Sequence, residues 1–242
     1  MKILFAASEC VPFAKTGGLA DVVGALPKQI KKAGEDIRVI MPLYSAIDQK
    51  WRDQMEHLMY FYINLGWRRQ YVGIEKLVYS GITFYFVDNE QYFGRDYIYG
   101  MGGDEGERFA FFCRAVLETL PKIEYIPDVL HCHDWQTGLI PLLARSQYPG
   151  GMQENLKFLL TIHNIMYQGK CGYEYLYDLL GIDAKYNTPE FMELNGCVDF
   201  LKAGCVFADR INTVSPGYAA EIRTPEYGEG LDEILNARAD VL

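Results

Sequence analysis

Ile3–Ala7 is a short, unbroken apolar run of the kind shown by a strand buried on both faces. A glycine-containing loop follows. Leu19–Lys32 then carries Val23, Leu26 and Ile30 at helical spacing, and Gly34 closes that helix from the C′ position. Asp36–Met41 is a second apolar run, stopped by Pro42. Strand, helix and strand in quick succession predict a βαβ unit, with parallel strands and a right-handed crossover.

The pattern changes over residues 58–88. Leu58–Leu65, Tyr71–Tyr79 and Ile82–Val87 are short, aromatic-rich runs with no helical segment between them, and Ser80-Gly81 predicts a tight turn between the last two. Residues 58–100 therefore read as an antiparallel insertion or an extension of the sheet. Gly94, Gly100, Gly102 and Gly103 mark a loop. Asp104 with Glu107 has the spacing of a capping box, opening a helix whose Phe109, Phe112, Val116, Leu117 and Leu120 face inward. Strand and helix then alternate again: Val129–His133 as strand, Thr137–Ser146 as helix, Phe158–His163 as strand, Phe200–Ala208 as helix and Ile211–Val214 as strand. Pro216 takes the first position of a last short helix. The fold class is α/β: a Rossmann-like domain with a mainly parallel sheet and helices on both faces. Such open sheets bind ligands outside the carboxyl ends of their strands.

Composition narrows the function classes. The chain has 242 residues and a formal net charge of −9, without the basic footprint that a sequence-independent grip on nucleic acid needs or the polybasic patch of a membrane-surface protein. No apolar stretch approaches a membrane span, and Glu9 interrupts the only start that resembles a signal peptide. The six cysteines form no C-x-x-C pair, which predicts reduced thiols and a cytoplasmic location, with Cys10, Cys113 and Cys197 as small buried hydrophobes.

Candidate chemistry gathers at the predicted strand ends. Gly17-Gly18 sits where a helix begins, so backbone amides there can meet an anion with help from the helix dipole and from Lys15. Asp21 falls in the first turn, where an acidic residue also suits the dipole. The segment is neither a Walker A loop nor G-x-G-x-x-G. His131-Cys132-His133-Asp134-Trp135 ends one strand. Alternation puts His131 and His133 on one face as core residues with satisfied nitrogens, while Asp134 and Trp135 reach the ligand crevice. His-x-His without further ligands is weak evidence for zinc, and no metal or cofactor is expected. Thr161-Ile162-His163-Asn164 ends the next strand at the same edge.

These residues carry a family resemblance. Lys15-Thr16-Gly17-Gly18-Leu19-Ala20-Asp21-Val22-Val23-Gly24-Ala25-Leu26-Pro27, preceded by Ser8-Glu9 and Pro12, is similar to the N-terminal signature of bacterial glycogen synthases and plant starch synthases. The likeness continues through His131–Gly138, Thr161–Gly169, Asn195-Gly196, Phe200–Gly204 and Thr213–Pro216, in order and in register.

The resemblance implies a retaining glucosyltransferase of GT-B architecture, with two Rossmann-like domains facing across a cleft. It would transfer glucose from ADP-glucose to the non-reducing end of an α-1,4-glucan or maltooligosaccharide, by front-face attack without a protein nucleophile. It implies that His163 contacts the transferred glucose and that Asp21, Tyr99 and Asp134 line the sugar and acceptor side. Trp135, Asn164, Tyr167 and Asn195 lie in the matching segments and are candidate substrate contacts with Lys15, Gly17 and Gly18. Growing charge on the departing diphosphate would be met by the glycine amides and Lys15. The family's second domain, which carries an Arg, a Lys and a Glu for the donor, has no counterpart here. Residues 1–242 are thus expected to be the N-terminal domain alone, with little or no turnover. Two other readings compete with this one. A dinucleotide-dependent oxidoreductase or epimerase would need G-x-G-x-x-G and an acidic residue ending the second strand, where Met41-Pro42 stands. An α-glucan-binding module without catalysis would use the Tyr- and Phe-rich segments at 59–99, although aromatics packing a sheet explain them too.

Overall fold

The computed structural model describes residues 1–100 and 103–242; Gly102 of the predicted loop lies outside them. The first unit is β1 (Lys2–Ala6), α1 (Gly18–Lys32) and β2 (Asp36–Pro42). A short α2 (Gln49–Arg52) leads to β3 (Glu56–Leu65), β4 (Arg68–Tyr79) and β5 (Ile82–Asp88). Then follow α3 (Glu90–Phe93), α4 (Glu105–Thr119), β6 (Val129–His133), α5 (Leu139–Gln147) and β7 (Lys157–Ile162). The rest is β8 (Lys170–Cys171), β9 (Glu193–Leu194), β10 (Cys197–Asp199), α6 (Phe200–Phe207), β11 (Arg210–Thr213), α7 (Pro216–Glu221) and α8 (Asp232–Ala237).

Eight strands form one sheet in the order β11-β7-β6-β1-β2-β5-β4-β3. All neighbours from β11 to β5 run parallel, and β4 and β3 are added antiparallel. The aromatic-rich segment is thus an extension of the central sheet, and its β5 lies parallel to β2. The turn at Ser80-Gly81 has positive φ at both residues, 51° and 76°, as a two-residue hairpin of the I′ kind requires. Tyr60, Tyr62 and Tyr71 form a cross-strand cluster on that hairpin, whereas Phe84 and Phe86 are buried around Phe13.

The chain leaves β1 toward β2 and later returns to place β6 on the other side of β1. Right-handed crossovers therefore put α1 on one face and α5 and α6 on the other. The order of travel reverses at β1/β6, and a crevice opens there beyond the strand ends. The central strands are apolar throughout: Leu4, Phe5, Ala6, Val39, Ile40, Leu130, Leu160 and Ile162 are fully enclosed. Close approach of α5 and α6 depends on two glycines. A Cβ on Gly138 would lie 2.3 Å from the Phe200 carbonyl oxygen, and one on Gly204 would lie 3.0 Å from Gly138.

Three local expectations are corrected. Asp104 is the N-cap of α4 but caps nothing with its side chain. Arg95 holds its carboxylate, while Glu107 accepts from the Tyr92 hydroxyl at 2.6 Å and pairs with Arg68 at 3.2 Å. Long-range partners outcompete the local box. The helix expected from Thr137 splits into a 3₁₀ turn over Trp135–Thr137 and α5. Cys10 and Cys113 are buried, but Cys197 is only half-buried because β10 belongs to a small three-stranded sheet, β8-β10-β9, rather than to the core. Among the described residues, no helix is long and apolar enough to cross a membrane.

Candidate active site

A cavity of about 890 Å³ fills the crevice at the strand-order reversal, a size that suits a small-molecule ligand. Gly17, Gly18, Tyr99, Asp134, Trp135, His163, Asn164 and Tyr167 line it. Four separate connections supply them, and none is adjacent to the next in sequence. Glu9, Thr16, Glu105, Gln136 and Val214 also line it, beyond the candidates that the sequence offers.

Gly17 is the N-cap of α1. The Glu9 carboxylate accepts from the Thr16 amide at 2.5 Å, the Thr16 hydroxyl at 3.0 Å and the Gly17 amide at 3.4 Å. The first amide of the expected cradle is therefore already engaged by a buried acidic residue. The amides of Gly18 and Leu19 have no partner inside the helix, and both residues line the cavity. Among the described residues a Cβ on Gly18 would meet nothing within 4 Å. Lys15 does not line the cavity. Its ammonium contacts both carboxylate oxygens of Asp21 at 2.7 Å, in an exposed pair worth at most about 1 kcal/mol that a stronger anion can displace.

Asp134 follows β6 with φ 58° and ψ −172°, a backbone region populated almost only by glycine. Its amide bonds to the Thr161 carbonyl at 2.9 Å, and its Oδ1 accepts from the amides of His163 at 2.6 Å and Asn164 at 3.3 Å. Burial pushes its carboxyl up to about 7, against the pull of those two amides. Trp135 packs edge-on to Phe109 at 5.1 Å between ring centroids and lies over Gly169, where a Cβ would come within 2.3 Å of the indole. The Tyr99 hydroxyl bonds to Ser8 at 2.6 Å. Glu105 is anchored by the fully buried Arg108, which also donates to the carbonyls of Tyr92 and Ile98.

His163 Nε2 lies 3.0 Å from His133 Nδ1. Burial lowers His163 to about 4 and His131 to about 3, and holds His133 well below its ordinary value, so all three imidazoles are neutral at pH 7. His131 meets the expectation of a satisfied core histidine through Thr161 Oγ1 at 2.6 Å. His133 corrects it, because its Nε2 is buried without a partner among the described residues. Among the described residues, no group of three or more His, Cys, Asp or Glu is placed to hold a metal.

Asn195 sits elsewhere. With Gly196 it makes the positive-φ turn between β9 and β10, at 53° and 80°, and it lines a separate cavity beside Lys202. Asn195→Ala is expected to lower stability by about 1 kcal/mol, because alanine lacks asparagine's tolerance of left-handed backbone; the midpoint of urea unfolding measures it.

The lining therefore combines three carboxyl groups (Glu9, Glu105 and Asp134), a neutral imidazole and the rings of Tyr99, Trp135 and Tyr167 at a helix N-terminus. Among the described lining residues there is no lysine or arginine. Among the described residues this set offers apolar ring faces and hydroxyl-binding acceptors, with backbone amides at the start of α1 to meet an anion.

A family model described as the starch synthase catalytic domain matches residues 2–237. The chain is 51% identical over 243 residues to the glycogen synthase of Geobacillus stearothermophilus, and 50% identical to that of Streptococcus agalactiae serotype Ia. Each match takes in 100% of this chain and 50% and 51% of the respective relative, so the chain spans about half the length of the curated relatives it matches. The solved catalytic domain of starch synthase IV from Arabidopsis thaliana, bound to ADP and acarbose, superposes with a TM-score of 0.90 and 30% identity over 99% of this chain and 50% of its own. The α/β architecture is that of a GT-B glycosyltransferase, and the chain belongs to the starch synthase catalytic-domain family.

Proposed function

We propose that residues 1–242 form the N-terminal of two Rossmann-like domains in a retaining glucosyltransferase, one that moves glucose from ADP-glucose to the 4-hydroxyl at the non-reducing end of an α-1,4-glucan. The observation that carries this reading is the cavity at the β1/β6 reversal, with its carboxyl groups, aromatic rings and neutral His163. Carboxylates and ring faces bind sugars; a diphosphate needs cations, and among the described residues this wall supplies the α1 amides and, beside them, Lys15. The cationic grip on the leaving diphosphate then falls to a second domain closing over the cavity. Its closure also excludes water from the reacting centre.

In this reading the glucosyl group rests against His163 and Trp135. Positive charge develops at the anomeric carbon as its bond to the diphosphate breaks. A neutral imidazole can hold a hydroxyl there without repelling that charge, and carboxyl groups on the same wall favour it electrostatically. Asp134 fixes the backbone on which His163 stands. The six free cysteines fit a reducing compartment, and we place the enzyme in the cytoplasm.

The test joins residues 1–242 to the C-terminal half of the Geobacillus stearothermophilus glycogen synthase. ADP release from ADP-glucose is then followed with maltoheptaose as acceptor. The chimera is expected to release ADP only when acceptor is present, and residues 1–242 alone to release none above background. Glucan elongation by residues 1–242 alone would sink the two-domain reading. A folded chimera that binds maltoheptaose yet releases no ADP would favour a glucan-binding module instead.

A further inference from the structure

We infer that His133 is a positioning residue that fixes the tautomer of His163, so that Nδ1 of His163 meets the cavity as an N–H donor. His131 and His133 share one face of β6, and their rings stack with centroids 4.2 Å apart and planes 26° apart. Phe5 of β1 walls both, at 4.5 and 4.9 Å. The Thr161 hydroxyl gives its single hydrogen to Asn212 Oδ1 at 2.5 Å, so at 2.6 Å from His131 it can only accept, and His131 carries its proton on Nε2. A ring locked in this way holds the plane of the ring stacked upon it.

One proton lies between His133 Nδ1 and His163 Nε2. If His163 supplied it, the proton of neutral His133 would be on Nε2, a buried N–H with no acceptor among the described residues. If His133 supplies it, the same nitrogen keeps only a lone pair. Orphaned buried N–H groups are rarer than under-used acceptors, and the second arrangement follows. His163 Nε2 is then an acceptor, and its proton stands on Nδ1. That nitrogen has no hydrogen-bond partner among the described residues and is not among the buried unpartnered atoms, so it is the one open to the cavity that His163 lines. Burial keeps all three rings neutral, so each carries a single N–H.

A hydroxyl can donate or accept; opposite a fixed donor it must accept, and its orientation is set. That this hydroxyl belongs to a hexosyl group rests on the transferase reading. The position of the proton does not, and it can be measured with no substrate present.

Long-range ¹H–¹⁵N correlation spectra of the ¹⁵N-labelled chain at pH 7.5 distinguish the two imidazole tautomers. The expected pattern is Nδ1–H at His133 and His163 and Nε2–H at His131. Free histidine favours Nε2–H, so Nδ1–H at two rings is a specific result. In His133→Asn the side-chain amide stands where Nδ1 stood and can still donate, and His163 is expected to keep its tautomer. In His133→Leu that donor is gone, and His163 is expected to shift toward Nε2–H. Nε2–H at His163 in the unsubstituted chain overturns the inference, and so does an unchanged His163 in a folded His133→Leu. Should the leucine variant fail to give a dispersed backbone spectrum, the spectra of the unsubstituted chain and of His133→Asn decide. A tautomer as expected in a chain whose chimera transfers no glucose would leave this inference standing and remove the transferase reading.

Discussion

Asp134→Gly in the two-domain chimera is expected to lower the rate of glucose transfer by about 10²- to 10³-fold while leaving stability within about 1 kcal/mol of the starting protein. Two opposing terms set the stability. Asp134 occupies a backbone region that costs a residue with a Cβ about 1–3 kcal/mol, and glycine removes that cost. Its carboxyl accepts from the amides of His163 and Asn164, and hydrogen bonds to a charged group contribute about 1.5–3 kcal/mol, which glycine loses. Nothing offsets the loss of activity, because the connection after β7 loses both backbone ties to Asp134 and His163 keeps only its side-chain bond to His133 at the end of β6. Asp134→Ala keeps the strain and loses the bonds. It should therefore be destabilised by about 2 kcal/mol with a similar loss of rate. Chemical unfolding and ADP release measured on both variants separate the two effects. If the glycine variant transferred glucose at the original rate, or lost as much stability as the alanine variant, the strain at Asp134 would have no link to function.

The parallel half of the sheet was legible because its strands are enclosed on both faces, and a run such as Ile3–Ala7 has few other places to go. The edge β1/β6 was legible for the same reason: Gly17, Asp134 and His163 each follow an apolar run, and parallel topology brings all three ends to one side. What stayed hidden depends on partners distant in sequence. Asp104 and Glu107 have the spacing of a capping box, but Arg95, Arg68 and Tyr92 take them. Glu9 was visible only as part of a matched segment. An acidic residue three positions after a buried strand, followed by the apolar stretch Cys10–Ala14, is the signal that could have marked it as a buried acceptor for the following loop. Asn195 was carried to the site by resemblance, whereas its Asn-Gly dipeptide is itself a turn signal and the structure uses it as one. The unpaired Nε2 of His133 has no sequence signature. It arises because His163, in the connection after β7, meets Nδ1, and its reach there depends on the register Cys132↔Leu160, His133↔Thr161.

The same histidine column makes the fold sensitive to acid. Burial holds His131 at about 3, His163 at about 4 and His133 well below its ordinary value, while in the unfolded chain each returns to about 6.5. Below pH 6.5 the unfolded state binds three protons that the folded state refuses, and stability falls with pH by about 1.4 kcal/mol per unit for each. Two buried carboxyls oppose this. Asp134 is pushed up to about 7 and Asp199 to about 6, so the folded state takes up a proton at each that the unfolded state binds only near 4. Stability from these two is greatest at low pH and is lost as pH rises through their folded values. Asp88, also raised by burial, adds in the same sense toward the acid end, and Asp104 and Asp178, both lowered, act below this window. The balance is three protons against two, which predicts a net loss of about 2 kcal/mol between pH 6.5 and pH 5. Asp199→Asn sharpens the test. Asp199 caps α6 by accepting from the Lys202 amide at 2.8 Å, asparagine caps as well as aspartate, and the other carboxyl oxygen is buried without a partner among the described residues. The variant removes one opposing proton without removing the cap, so its stability should fall about twice as steeply with acid. Urea midpoints measured at half-unit intervals give both slopes. A flat or rising stability toward pH 5 in the unsubstituted chain would mean that the imidazoles are not held neutral, and the donor at His163 would lose its basis along with them.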